Sequence, residues 1–202
     1  MSHKFNAEWQ KNAEHLSTNG LYNPNDEHDA CGVGLIATID GKPRREVVEK
    51  GIEALKNVWH RGAVDADGQT GDGAGIHVEI PQDFFKEYVR ATGHEPGDEK
   101  LAAGMVFLPK TDLAAQETCR SIIETEILKA GYKIYGWRQV PINVNVIGEK
   151  ANTSWPEIEQ ILIAGTLDQD DEALEADLFI IRRRTEKRAL NAHITDFYIC
   201  SL

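Results

Sequence analysis

Apolar and polar residues alternate in distinct ways along the chain. Residues 1–30 are polar and rich in Asn, His, Asp and Glu, with turn signals at Asn19-Gly20 and Asn23-Pro24. They read as an irregular leader with one short helix before Ser17, or as a disordered tail. The texture then changes. "GVGLIATI" (32–39) predicts a strand closed by the turn "DGKP" (40–43). Residues 45–60 place Val48, Ile52, Leu55 and Trp59 at helical spacing, which predicts an amphipathic helix packed on a sheet. A loop with five glycines follows (61–75), then a short alternating strand, "IHVEI" (76–80).

Pro81 opens the next predicted helix, "PQDFFKEYVRAT". "AAGMVFLP" (102–109) predicts a strand. "TDLAAQETCRSIIETEILKAGY" predicts a helix, capped by its Thr or Asp and ended at Gly131. "KIYGWRQVPINVNVIG" reads as extended, and Pro156 as a helix opener. "ADLFIIRR" (176–183) reads as a strand, "RTEKRALNAH" as helical, and "FYICS" as the start of another strand. The sequence shows no internal repeat. It ends as a strand begins, which predicts a domain incomplete at its C-terminal side.

Composition narrows the class. The chain has 202 residues, 41% hydrophobic and 27% charged, enough for one domain with a core. A formal charge of −11 disfavours nucleic acid and anionic membranes as partners. Cys31, Cys119 and Cys200 are odd in number and form no CxxC, so neither a disulfide framework nor a metal site is expected; a reducing, cytoplasmic setting is. There is no membrane-length apolar run and no secretory signal.

Three features could carry chemistry. "TGDGAGI" (70–76) has glycines that could admit a phosphate. It follows a helix and precedes a strand, the reverse of a dinucleotide fingerprint, and the spacing fails at Ile76. A tight turn, or a loop beside a pocket, are the other readings. The charge runs "DQDDEALEAD" (168–177) and "RRRTEKR" (182–188) read as solvated segments, the cations pairing with the preceding acids. Cys119 reads as a buried, inert thiol.

Cys31 is the third feature. A cysteine at a strand start is commonly a small buried apolar residue. A thiol can also attack a carboxamide if a base stands beside it. His60, His77, His94 and His193 show no pattern that supplies one. Cleavage between Ala30 and Cys31 would supply one, since the freed α-amine has a pKa of about 8. While the leader is attached, that nitrogen is an amide and cannot act as a base.

"P-x-x-E-H-D-A-C-G-V-G" (Pro24–Gly34), "HRGAVDADGQTGDGAGI", "IPQDFF", "GMVFLP", "RRRTEK" and "FYICSL" together resemble one family. It is the class II glutamine amidotransferase domain that opens the large (alpha) subunit of bacterial glutamate synthase. The resemblance spans nearly the whole chain after its first twenty or so residues. It implies an α+β fold of the N-terminal-nucleophile (Ntn) hydrolase type, a four-layer αββα sandwich with mainly antiparallel sheets, C-terminally incomplete here. It implies residues 1–30 as a propeptide and 31–202 as the N-terminal part of the domain, with processing at Ala30–Cys31.

The same resemblance implies Cys31 as the nucleophile and its α-amine as the base, hydrolysing L-glutamine to glutamate and ammonia. Ammonia would reach 2-oxoglutarate elsewhere in the full enzyme. The resemblance places Arg61 near the nucleophile as a support of the substrate pocket; a plain helix-terminal arginine is the other reading. It implies no cofactor in this chain, but FMN, an iron–sulfur cluster and NAD(P)H in the full enzyme. The implied partners are the remaining large-subunit domains and a small subunit or other electron donor. The oxyanion-hole Asn-Gly pair and the substrate clamp of the family have no match, which predicts an inactive fragment. A non-catalytic folding or subunit-contact module is the competing reading.

Overall fold

The structure, a computed structural model, describes residues 2–19, 32–59, 62–71 and 73–202. The chain divides into two units, Met1–Arg61 and Gly62–Leu202.

The first unit begins with α1 (Ser2–Asn19), longer than the short helix expected there. The next described segment, residues 32–39, corrects the expectation of a strand. It belongs to no ladder, and Val33, Leu35 and Ile39 are almost fully exposed. A strand is held by a neighbour's hydrogen bonds, and alternation alone cannot supply them. The turn after it is as expected: Gly41 N donates to Thr38 O at 3.3 Å, and Arg44 grips the Asp40 carboxylate with both terminal nitrogens. The helix α2 (Arg45–Asn57) is laced by the i,i+4 pairs Glu46–Lys50 and Arg45–Glu49. It buries none of its residues, and Trp59, expected on its apolar face, lies beyond its end and is 76% exposed.

The second unit holds the core. Its sheet has the order β2-β3-β1-β4 and is antiparallel throughout: β1 (Leu101–Leu108), β2 (Lys133–Gln139), β3 (Glu157–Ala164) and β4 (Tyr198–Ser201). Residues Ile161 to Ala164 are buried on both faces, as a central strand requires. Here Pro156 precedes a strand, correcting the helix expected after it. At a strand's first position, proline's missing N–H costs no ladder bond.

Two helices cover one face. Leu113–Lys129 forms α4, and Asp112 caps it by accepting from Ala115 N at 2.9 Å. The last helix, α6 (Asp171–Asn191), is capped by Asp170 accepting from Ala173 N at 2.8 Å. The long α6 corrects the strand expected at 176–183. "LFII" looks strand-like, yet the buried residues are Leu174, Leu178, Ile181, Thr185 and Ala189, one helical face. These meet Val106, Ile161, Ile163 and Ile199 of the sheet and Ile123 and Ile127 of α4. Cys119 is fully buried among them, as expected, and burial pushes its thiol pKa up to about 11.

On the opposite face, among the described residues of this unit, a helix covers one end. The helix α3 (Gln82–Ala91) packs Phe85 and Val89 on Leu101, Leu162, Ala164 and Tyr135. Beyond α3 the same face continues as Met105, Phe107, Ile158 and Gln160, half-buried, with Tyr198 exposed. "IHVEI" forms no strand, a second correction of the same kind: Ile76 and Val78 are nearly half exposed. The cations of 182–188 do not pair with the acids before them. Arg183 pairs with Glu186, and Arg188 with Glu126 on α4 at 2.6 Å.

Candidate functional site

Of the sequence features that could carry chemistry, the glycine-rich segment is described at residues 62–71 and 73–75. Val64 and Gly71 form an antiparallel bridge, and Asp65 N donates to Thr70 O at 2.8 Å. Gly68 N donates to Asp65 O at 2.9 Å and closes the turn. Gly68 has φ +71°, a conformation that costs glycine nothing and most residues about 1 kcal/mol or more.

Asp67 organises this hairpin. Its Oδ1 accepts from Gln69 N at 2.9 Å and Thr70 N at 2.7 Å. Its Oδ2 accepts from Thr70 Oγ1 at 2.5 Å and from Lys150 N at 3.2 Å. The Thr70 hydroxyl first, then the backbone donors, hold the Asp67 carboxyl far below the usual carboxylate range.

Lys150 belongs to α5 (Glu149–Ser154), whose first turn has backbone N–H groups without helical partners. The hairpin satisfies two of them: Lys150 N through Asp67, and Ala151 N through Thr70 Oγ1 at 3.2 Å. The Lys150 ammonium also pairs with Asp65, lowering that carboxyl's pKa and raising its own. Gly148 makes the approach possible. A Cβ there would sit 2.5 Å from Thr70 N and would overlap the Thr70 and Asp67 side-chain oxygens. At the other end of α5, Lys110 donates to Asn152 O at 2.7 Å and lies 4.3 Å from the Trp155 ring centroid. The hairpin is thus joined through α5 to the segment that follows β1.

This arrangement is a scaffold. The N–H groups of Gln69 and Thr70 already donate to Asp67, and two carboxylates crowd the turn. Among the described residues no group of three or more His, Cys, Asp or Glu could hold a metal ion.

The residues expected to do chemistry, Ala30, Cys31 and Arg61, lie outside the described residues, as does His60. The described histidines do not gather. His77 is exposed, His94 contacts Thr92 Oγ1 at 3.0 Å, and His193 follows the cap of α6 with φ +61°. Sequence reasoning missed the Asp67–Thr70–Lys150 latch. Asp-Gly with Thr two residues further on is a turn signal that could have located the hairpin, but nothing local names α5 as its seat.

Comparisons with known proteins place the chain. The family model described as glutamine amidotransferases class-II matches residues 31–202. The glutamate synthase [NADPH] large chain of Azospirillum brasilense is 66% identical over 199 residues, covering 98% of this chain and 13% of that protein. The ferredoxin-dependent glutamate synthase of Spinacia oleracea chloroplasts is 37% identical, over 87% of this chain and 11% of that protein. The glutamate synthase [NADPH] large chain of Bacillus subtilis is also 37% identical, over 91% of this chain and 12% of that protein. The chain therefore spans little more than a tenth of the length of these relatives.

Proposed function

We propose, from the premise that the chain belongs to the class-II glutamine amidotransferases, that it carries the nucleophile of a glutaminase serving glutamate synthesis. One observation carries the reading. The family match begins at Cys31, while the Azospirillum alignment takes in 199 residues and so most of the thirty before it. A domain that starts at a cysteine behind a leader is what an N-terminal nucleophile requires.

On this reading residues 1–30 are a propeptide, cut at Ala30–Cys31. The freed α-amine, with pKa about 8, takes the thiol proton directly or through a water. The Cys31 sulfur attacks the side-chain carboxamide carbon of L-glutamine. The C–N bond of the tetrahedral adduct breaks, the α-ammonium returns its proton, and ammonia leaves. Water, deprotonated by the same amine, then attacks the thioester, giving glutamate and free Cys31. Arg61 supports the substrate pocket. The hairpin that begins a few residues after Arg61 is itself held by Asp67 and α5.

The four-layer αββα sandwich belongs to the same proposal. Two helices cover one sheet face, and α3 covers one end of the other. The half-covered run from Met105 to Tyr198 is where a second sheet would pack.

In the complete enzyme, ammonia would react with 2-oxoglutarate using electrons from NAD(P)H or another donor, through FMN and an iron–sulfur cluster. Cluster ligation takes a set of cysteine thiolates, and the described residues offer only buried Cys119 and exposed Cys200. Those groups are assigned to the other domains of the large subunit and its electron-donating partner, and no step here runs through them. A cytoplasmic setting accompanies the proposal; no described helix is long and apolar enough to cross a membrane.

Intact-mass measurement on the complete enzyme tests the mechanism. The expected result is loss of residues 1–30 together with glutamine hydrolysis. Full activity with Met1 still attached would overturn the free-amine base. In the 202-residue chain, a glutamine-mimicking electrophile is expected to label Cys31 only after the leader is removed.

A further inference from the structure

The helix α6 has two faces of different character. Its inner face is buried against the sheet and α4. Its outer face carries Glu172, Ala176, Phe179, Arg183, Lys187 and Leu190, all exposed. At about 100° per residue these six fall on one stripe, opposite the buried one, and Ile180 adjoins it. Phe179 is 56% exposed, Ile180 44% and Leu190 63%. Phe179 and Ile180 expose an aromatic and an aliphatic side chain next to each other, and Leu190 lies about 16 Å further along the helix.

The charges along the helix are ordered, and Glu172, Arg183 and Lys187 are those on the stripe. Asp171, Glu172 and Glu175 lie near the helix start, and Arg183, Arg184 and Lys187 near its end. Asp171 is engaged by Lys100 at 2.8 Å, and Arg183 by Glu186. Among the described residues, Glu172 and Lys187 have no ionic partner.

A stripe that is acidic at one end, apolar in the middle and cationic at the other is complementary to itself when reversed. Place a twofold axis between Phe179 and Ile180. Phe179 then meets Ile180 of the second copy, Ala176 meets the stem of its Arg183, and Glu172 meets its Lys187. One register satisfies all three layers, and symmetry doubles each. The helix has 21 residues, about 30 Å, so the outermost charged layers fall within its length. The rest of the chain favours this face over others. With a net charge of −11, most contacts between two copies would be repulsive, and a self-adhesive face has to carry its own cations.

We propose that the outer face of α6 is a homodimer contact, an antiparallel pair of α6 helices closed by Glu172–Lys187 bridges and a Phe179/Ile180 centre. The proposal is independent of the glutaminase reading.

Sedimentation equilibrium of the 202-residue chain over a concentration series tests it. A monomer–dimer equilibrium is expected that weakens with added salt. Lys187→Glu turns two symmetric attractions into repulsions and is expected to weaken association on the order of tenfold. Phe179→Ser is expected to weaken it at least as much. The double variant Glu172→Lys/Lys187→Glu is expected to recover association to within about threefold of the parent. Circular dichroism should be unchanged in each, because every altered side chain is exposed. A chain that stays monomeric at all concentrations, as it would if this stripe served another segment of a longer polypeptide, overturns the proposal. So does a dimer indifferent to Lys187→Glu and Phe179→Ser, or a double variant no better than the single.

Discussion

Residues 32–39, GVGLIATI, and residues 101–108, LAAGMVFL, are both eight-residue runs of small and apolar side chains. The second is β1, a central strand paired on both sides, with Leu101, Val106 and Leu108 fully buried. The first pairs with nothing described, and Val33 and Leu35 are over nine-tenths exposed. Among the described residues, what separates them is the availability of neighbours. β1 has Glu157–Ala164 on one edge, Tyr198–Ser201 on the other, and α4 and α6 against one face.

The largest expected effect separates these regions by stability. Ile123→Ala removes a fully buried side chain beneath the sheet and should cost about 3 kcal/mol in urea unfolding. Leu35→Ala should change stability by less than about 0.5 kcal/mol. If Leu35→Ala costs as much as Ile123→Ala, residues 32–39 are buried in solution and the contrast fails.

A smaller effect should come from the hairpin. Gly148→Ala forces a methyl group against Thr70 and is expected to destabilise by about 1–3 kcal/mol. It should speed amide exchange at Thr70, Lys150 and Ala151. Gly75→Ala meets nothing within 4 Å and should leave those amides alone. Equal responses would show that the hairpin is not seated on α5.

The smallest effect is one of pH. The Asp67 carboxyl is held below its ordinary 3.8, so its contribution is present above that value and lost as pH falls through the lowered one. Carboxyl titration by NMR should find Asp67 still ionised where ordinary aspartates are half protonated. Exchange protection at Thr70 should persist there and fall only in stronger acid. Titration of Asp67 near 3.8 would show the latch open.

Helices were legible where capping and period agreed. Asp112 and Gly131 bracket α4 in the sequence as they do in the fold. Composition and period disagree in α6: Leu174, Leu178 and Ile181 mark a helix, while the run "LFII" resembles a strand because it includes Phe179 and Ile180 of the exposed side. Pro156 misled because proline opens strands as readily as helices. Cys31 was legible as a candidate because a cysteine at a change of texture is a local signal. The latch was not, because Asp67 and Lys150 are 83 residues apart and no local pattern joins them.

That separation sets a schedule. Asp65 leaves the ribosome 85 residues before Lys150, roughly 4–17 seconds at 5–20 residues per second. The sheet waits longer, since β1 gains its second neighbour only when Tyr198–Ser201 emerges. Until Lys150 emerges the chain carries an acidic glycine hairpin without its anchor, and until Tyr198–Ser201 emerges an apolar strand with an open edge. Synthesis itself is therefore the interval in which this domain is most exposed to proteases and to mispairing.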